Sequence, residues 1–80
     1  MSETYDALYR YLKERSEASI NLTFSGIERI IHHPLPSDAE KRPTWWANDN
    51  VNDAHCHAWL QAGYKAFPNL ASRTVVFRRH

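Results

Sequence analysis

The alternation of apolar and polar positions predicts a helix and then a strand at the start of the chain. Apolar residues recur at every third or fourth position from Tyr5 to Leu12, the spacing of one buried helix face, so we expect a helix over about 4–16. Residues 20–24 alternate strictly between apolar and polar side chains. Because a period of two is typical of a strand with one buried face, a short half-buried strand is expected there.

Two four-residue segments, 25–28 and 37–40, have the sequence of a capping box. In such a box a serine hydroxyl and, three residues later, a glutamate carboxylate accept hydrogen bonds from backbone amides that the first helical turn leaves free. The first box predicts a second helix over about 25–33, which the proline that follows ends. The second box predicts a third helix from residue 38, which Pro43 kinks or ends.

The C-terminal half of the chain predicts a loop, a helix and a hairpin. Residues 48–53 are almost all Asn and Asp, which favour turns, and they indicate an exposed loop. A helix over 53–62 follows, because an aspartate can cap its start and Gly63 can end it in the left-handed conformation. Two apolar-rich runs, 64–67 and 73–78, are separated by turn-forming residues and predict a β-hairpin.

These elements follow the order helix, strand, helix, helix, hairpin. The order predicts the α+β class and matches a winged helix-turn-helix, with three to four helices and a small antiparallel sheet made of the short strand and the C-terminal hairpin. We expect a single winged-helix-like domain over residues 1–80. A composition of 42% apolar and 12% aromatic residues can supply its core.

Charge is distributed unevenly between the two halves of the chain. Residues 1–40 carry four Lys or Arg against seven Asp or Glu, a net charge of −3. Residues 41–80 carry six against two, a net charge of +4. A half with excess positive charge suits a polyanionic partner such as nucleic acid, although ordinary fluctuation in composition explains a difference of this size equally well.

Cysteine usage and the lack of long apolar runs indicate the compartment. Cys56 is the single cysteine of the chain, which rules out an internal disulfide and fits a reducing environment. The N-terminus is polar and acidic, unlike a secretory signal, and no apolar run is long enough to span a bilayer. We therefore expect a cytoplasmic protein without a membrane partner.

The candidate phosphate contacts are the basic residues of the C-terminal half. Cationic side chains neutralise phosphates and add affinity that depends on salt but not on base sequence. The candidates are Lys41, Arg42, Lys65, Arg73, Arg78 and Arg79. The last two can equally be part of a solubilising tail.

Candidate base contacts come from the double tryptophan, the polar loop and the predicted helix 53–62. One tryptophan is expected in the core, on Tyr9, Phe24 or Ile31, and the other exposed for base stacking, unless both are buried. Asn side chains can pair with adenine, although Asn is also common in loops. The helix before the hairpin has the position of a recognition helix, yet it is poor in Arg and Lys and its polar residues also fit a solvated face. These candidates are Trp46, Asn48, Asn50, His55, His57 and Gln61.

Two histidine-containing segments, 32–33 and 55–57, raise the question of a metal site, which their spacing disfavours. Side chains two residues apart on a helix do not face one another, and no second cysteine provides a zinc-type spacing. Two adjacent histidines do not by themselves give Cys56 a base within hydrogen-bond reach, and Glu28 and Glu40 are assigned to the capping boxes. We expect no metal, no cofactor and no enzymatic activity.

Several short motifs are spread over nearly the whole chain. They are Leu22-Thr23-Phe24 with Ile27-Glu28, Leu35-Pro36 with Ala39, Trp45-Trp46-Ala47-Asn48, Ala58-Trp59-Leu60-Gln61-Ala62-Gly63-Tyr64 and Val76-Phe77-Arg78. On these motifs the chain resembles a group of short, uncharacterised bacterial and archaeal proteins. Pro43 departs from the group's pattern, where a helix-compatible residue is more usual. The resemblance implies a winged-helix module, sometimes attached to other domains, without an established chemistry.

The sequence thus predicts a small DNA-binding winged-helix protein, a transcriptional or mobile-element regulator that acts as a homodimer. The alternative is a non-catalytic protein-interaction module, in which the double tryptophan and Tyr11 form an exposed aromatic patch. The positions of the basic residues separate the two hypotheses. Convergence on one face beside helix 53–62 favours DNA, whereas scatter together with exposed aromatic surface favours a protein partner.

Overall fold

The computed structural model describes residues 3–48 and 54–80, which form four α-helices, two 3₁₀ helices and three strands. In chain order these are α1 (Glu3–Lys13), β1 (Ser19–Thr23), α2 (Phe24–Ile31), α3 (Ser37–Lys41), a 3₁₀ helix at Pro43–Trp46, a second 3₁₀ helix at Ala54–Cys56, α4 (His57–Leu60), β2 (Tyr64–Asn69) and β3 (Thr74–Arg79). The predicted α+β class is confirmed. Most of the predicted loop, including Asn50, lies outside the described residues.

The three strands form one antiparallel sheet with β3 at its centre. The strand order is β1-β3-β2, so the C-terminal hairpin supplies two neighbouring strands and β1 adds to the far side of β3. Ile20 of β1 lies opposite Phe77, which in turn lies opposite Ala66 of β2. The predicted strand and hairpin are therefore confirmed, to within two residues at each end. Pro68 lies inside β2, which tolerates it because β2 is an outer strand.

The start of α2 differs from the predicted capping box. The residue that caps the helix is Thr23, whose hydroxyl oxygen accepts a hydrogen bond from the Gly26 amide at 2.9 Å. The Glu28 carboxylate instead accepts from the Leu35 amide at 2.7 Å, so it fixes the loop after the helix. Because the strand runs directly into the helix, the last extended residue takes the capping position and the predicted serine falls inside the first turn. The second capping box is also wrong, since no side chain caps α3.

Two helix ends follow from local backbone chemistry. The second helix ends at Ile31 because His32 adopts a left-handed conformation with φ of 55°, two residues before the predicted end. The third helix ends at Lys41, and Pro43 begins the 3₁₀ helix that carries the double tryptophan. Proline at the first position of a helix loses no hydrogen bond. This explains why α3 ends before Pro43 and a 3₁₀ helix begins at it.

The predicted helix 53–62 is shorter and less regular than expected. Its described part begins as the 3₁₀ turn Ala54–Cys56 and becomes α-helical only over His57–Leu60. Gly63 has the predicted left-handed conformation, with a φ of 90°, but it does not end the helix, which stops at Leu60 with Gln61 as its C-terminal cap. The α-helical part spans about one turn, packed against α1 and β2.

The core lies between the inner face of the sheet and the helices, and a row of aromatic rings runs through it. Phe24 stacks on Trp46 with ring centroids 5.3 Å apart, and Trp46 stacks on Trp59 at 5.6 Å. Trp59 then contacts Phe77 of the central strand at 5.8 Å. All four side chains are buried. Large rings bury much apolar area per residue, which suits a chain of this length.

Candidate nucleic-acid interface

The outward-pointing residues of the sheet form one continuous surface, which we call the outer sheet face. Buried and exposed positions alternate along each strand, and every second residue points away from the core. In register, its three cross-strand rows are Ser19, Arg78 and Lys65; Asn21, Val76 and Phe67; and Thr23, Thr74 and Asn69. Seven of these nine side chains are exposed and the other two are half-buried, so the surface is open to solvent.

An aromatic ring lies in the middle row of this face. Phe67 is 48% exposed and is the one large apolar side chain so exposed among the described residues. Val76 lies beside it on the central strand and is half-buried. The guanidinium carbon of Arg78 lies 5.5 Å from the centre of the Phe67 ring, a cation–π contact. The ring is therefore partly open to solvent and partly covered by the Arg78 guanidinium.

The only formal charges on the outer sheet face are positive. Lys65 and Arg78 lie directly opposite one another in the register of β2 and β3, and both are exposed. None of the nine positions is Asp or Glu. Among the described residues neither cation forms an ion pair. Two predicted phosphate contacts are therefore brought together on one surface.

Three more of the predicted cations, Lys41, Arg42 and Arg73, lie near α3 at the end of the hairpin where β2 and β3 are joined, which we call its turn end. Arg73 precedes the start of β3 and lies about 20 Å from the far end of that strand. Its guanidinium pairs with the Glu40 carboxylate at 3.8 Å, and the Arg42 guanidinium pairs with the Asp38 carboxylate at 3.7 Å. Lys41 is exposed on the same short helix. The basic residues thus form two groups rather than one, and the group at this end is partly neutralised.

Arg79 is held by contacts within the protein. Its terminal nitrogen donates hydrogen bonds to the Arg15 carbonyl at 2.8 Å and to the Tyr64 hydroxyl at 3.3 Å. Its guanidinium lies 5.3 Å from the centre of the Tyr64 ring, and the Tyr64 hydroxyl donates to the Glu17 carbonyl at 2.8 Å. These contacts fasten the connection between α1 and β1 to the end of the sheet, so this predicted phosphate contact has a structural role.

Asn48 is wrongly predicted as an exposed base contact. Its side-chain oxygen accepts hydrogen bonds from the Ala66 amide at 2.7 Å and from the Trp59 indole nitrogen at 3.0 Å. Its side-chain nitrogen donates to the Ala66 carbonyl at 2.9 Å. The oxygen and the nitrogen of the amide that would pair with a base are therefore both hydrogen-bonded within the protein. The residue joins the double-tryptophan segment to β2 and α4.

Trp46 is also wrongly predicted as a stacking platform. It is 1% exposed, and its indole nitrogen donates to the Ala39 carbonyl at 2.9 Å. A buried indole needs such a partner, and this one fixes the end of α3 to the core. It is the tryptophan that packs on Phe24, which was one of the partners expected for the core tryptophan. Its neighbour Trp45 is only half-buried.

Of the three predicted base contacts on helix 53–62, one is held by contacts within the protein, one is half-buried and one is exposed. His55 stacks on Trp45 with ring centroids 3.9 Å apart and planes within 4°, and its Nε2 donates to the Trp45 carbonyl at 2.7 Å. His55 is therefore not a solvated residue, contrary to the prediction. His57 is half-buried, and Gln61 alone is exposed among residues 55–62. This surface offers few groups to a ligand because the short helix is packed between α1 and β2.

Tyr5 completes the half-buried cluster formed by Trp45 and His55. Its ring centroid lies 6.1 Å from that of Trp45 and 6.0 Å from that of His55. Burial raises the pKa of Tyr5 above the usual tyrosine value, because the charged phenolate is poorly solvated there. The cluster thus fixes the start of α1 against the double-tryptophan segment.

Within residues 3–48 and 54–80, no group of three or more His, Cys, Asp or Glu side chains is arranged to hold a metal ion. An open depression of about 390 Å³ beside α2 is lined by Ser25, Glu28, Arg29, His32, His33 and Pro34. Its one carboxylate, that of Glu28, already accepts the hydrogen bond from Leu35.

Sequence reasoning missed Phe67 as a surface residue. The predicted strand 64–67 contains it, yet a phenylalanine in a strand is usually counted with the core. The available signal was parity, because Lys65 has the same orientation as Phe67 in a strand of period two. A lysine that must face solvent therefore places the phenylalanine on the solvent side as well.

The fold and the outer sheet face define a small α+β domain with one side of its sheet uncovered. Residues 5–80 match the model of a family described as a domain of unknown function (DUF7662), and the chain belongs to that family. This agrees with the expected membership of an uncharacterised family. No curated protein and no solved structure matches the chain.

Within the part of the chain that the structure describes, every helix is too short or too polar to span a lipid bilayer.

Proposed function

We propose that this chain is a non-catalytic nucleic-acid-binding module of winged-helix type, which contacts its ligand through the outer sheet face. The observation that carries the proposal is the opposed pair Lys65 and Arg78, on a surface whose nine positions include no acidic residue. Cations attract phosphates most effectively where no carboxylate neutralises them. The pairs that Arg42 and Arg73 form with carboxylates make the turn end of the hairpin a weaker phosphate site.

The winged-helix part of the proposal is supported by element order. Among the described residues, four α-helices and one strand precede the hairpin, α4 comes directly before it, and the central strand of the sheet is the last one. In a winged helix the element in the position of α4 enters the major groove. Here that helix spans His57–Leu60 and contains no Lys or Arg, so we assign it no base-reading role.

The expected mode of binding is therefore sequence-tolerant. Phosphate contacts position a protein on nucleic acid without selecting a sequence, and two contacts give modest affinity with a clear dependence on salt. Regulation of transcription or of a mobile element, a homodimer and a cytoplasmic location remain predictions from the sequence.

The division of the basic residues into two groups favours the alternative hypothesis of a protein partner, but the aromatic patch on which that hypothesis depends is not exposed. It required the double tryptophan and Tyr11 on the surface. Trp46 is buried, Trp45 is half-buried against His55, and the Arg15 guanidinium lies 4.2 Å from the centre of the half-buried Tyr11 ring. We therefore propose no second function based on that patch.

The test measures binding of fluorescently labelled, random-sequence oligonucleotides by anisotropy over a series of salt concentrations. The double variant Lys65→Gln with Arg78→Gln is expected to bind more weakly. The slope of log K against log salt should fall by about 1.4 to 1.8, because each lost phosphate contact removes about 0.7 to 0.9. The matched control, Arg10→Gln with Arg29→Gln, removes the same charge from exposed positions on α1 and α2 and should bind like the wild type. Lack of binding by the wild-type protein at low salt would contradict the proposal.

A further inference from the structure

The accessible ring on the outer sheet face indicates which form of nucleic acid fits it. Resting on the proposed function, we infer that the ligand is a single strand, one base of which stacks on Phe67 while Lys65 and Arg78 hold its phosphates. Bases in a duplex are stacked on their own neighbours and present only their edges in the grooves. An unpaired base can lay its flat face on an aromatic ring. An exposed ring beside cations therefore favours single-stranded nucleic acid over a duplex.

The spacing on the face suits a nucleotide. Rows two residues apart along a strand are separated by about 6.7 Å, so the opposed cations lie one row from the Phe67 ring. That separation is comparable with the distance from a base to the phosphates of its own nucleotide. The stacked base and the neighbouring phosphate can therefore be contacted together on one flat surface.

The groups around the ring are compatible with this ligand. The Arg78 guanidinium lies over the ring, 5.5 Å from its centre, and is a second planar group on the same surface. Asn21 lies in the same cross-strand row and is exposed, with an amide that can both donate to and accept from a base edge. Since every base has a flat face, stacking on Phe67 favours single-stranded nucleic acid of any sequence.

The experiment compares three labelled ligands of equal length at one salt concentration: a single strand of thymidines, the same backbone carrying abasic sites, and a blunt duplex. The wild-type protein is expected to bind the thymidine strand at least about 5-fold more tightly than either of the other two. Phe67→Leu should weaken binding of the thymidine strand by about 5- to 100-fold, the range found when stacking is lost. It should leave binding of the abasic strand unchanged, whereas Phe67→Tyr should restore binding of the thymidine strand.

The outcomes separate this inference from the proposed function. A duplex or an abasic strand bound as tightly as the thymidine strand overturns the inference and leaves phosphate binding intact. Loss of affinity in Lys65→Gln with Arg78→Gln, without any loss in Phe67→Leu, has the same meaning. If the wild-type protein binds none of the three ligands, both proposals fail, and a protein becomes the candidate partner of the outer sheet face. The comparison of thymidine and abasic strands uses only the wild-type protein, so it decides the question even if a variant misfolds.

Discussion

Phe67 and Phe77 are the same residue type on opposite faces of one small sheet, and their surroundings differ completely. Phe77 is fully buried against Trp59, whereas Phe67 is 48% exposed next to Arg78. The two residues belong to adjacent cross-strand rows. A shift of one residue in the register of either strand would move its phenylalanine to the opposite face of the sheet, because side chains in a strand alternate between faces.

The difference indicates that the residues that stabilise the fold and the residues proposed to bind nucleic acid lie on separate faces of the sheet. The inner face carries the aromatic row that forms the core, and the outer face carries polar side chains, two opposed cations and one accessible ring. Substitutions on the outer face should therefore alter binding without unfolding the protein. Substitutions on the inner face should unfold it before binding can be measured.

The largest expected effect comes from shortening the two phenylalanines in turn. Phe77→Ala should lower the free energy of unfolding by about 3 to 5 kcal/mol, because it leaves a cavity in a packed core. Phe67→Ala should lower it by no more than about 1 kcal/mol, since much of the ring is already in water. Urea denaturation monitored by tryptophan fluorescence measures both. Equal losses would show that the outer face contributes to stability as the inner face does.

The next effect concerns two asparagines. Asn48→Ala should cost about 2 to 3 kcal/mol of unfolding free energy, because it removes three hydrogen bonds and leaves the buried indole N–H of Trp59 without an acceptor. Asn21→Ala, at an exposed position on the outer sheet face, is the matched control and should change stability by less than about 0.5 kcal/mol. The same urea titrations apply, and a small loss for Asn48→Ala would mean that the amide is replaced by water.

The smallest effect is expected for Arg73→Gln, at the turn end of the hairpin. The ion pair with Glu40 is exposed, and such pairs contribute about 0 to 1 kcal/mol. Both the stability and the oligonucleotide affinity of this variant should remain close to those of the wild type. An affinity loss as large as that of the variant lacking Lys65 and Arg78 would extend the binding surface to the turn and remove the distinction between the two ends of the sheet.

The elements of the fold were predictable because burial leaves a periodic trace in the sequence. The strand after α1 follows a period of two, and the two strands of the hairpin are apolar-rich runs separated by turn-forming residues; all three were predicted within two residues of their observed ends. The helix caps were not predictable in the same way. Ser25 and Thr23 are both chemically able to cap α2, and only the point at which the strand ends decides between them.

The candidate site was predictable only in part. The cations Lys65 and Arg78 are recognisable by charge alone, but the register of the hairpin decides that they lie opposite one another. Asn48 and Trp46 resemble surface groups by residue type and acquire their structural roles from partners 7 to 18 residues away along the chain. Such partners are set by tertiary packing, which leaves no local pattern in the sequence.

The hydrogen bonds between Asn48 and the backbone of Ala66 have a consequence for association between copies of the protein. An outer strand normally presents unpaired backbone groups on which a foreign strand can assemble, the first step toward fibrils. On β2 the backbone groups of Ala66 are already satisfied by the amide side chain, and Pro68, two positions further, has no N–H to offer. These two features hinder the pairing of β2 with a strand of another copy. A concentrated solution of the domain should therefore resist aggregation through β2.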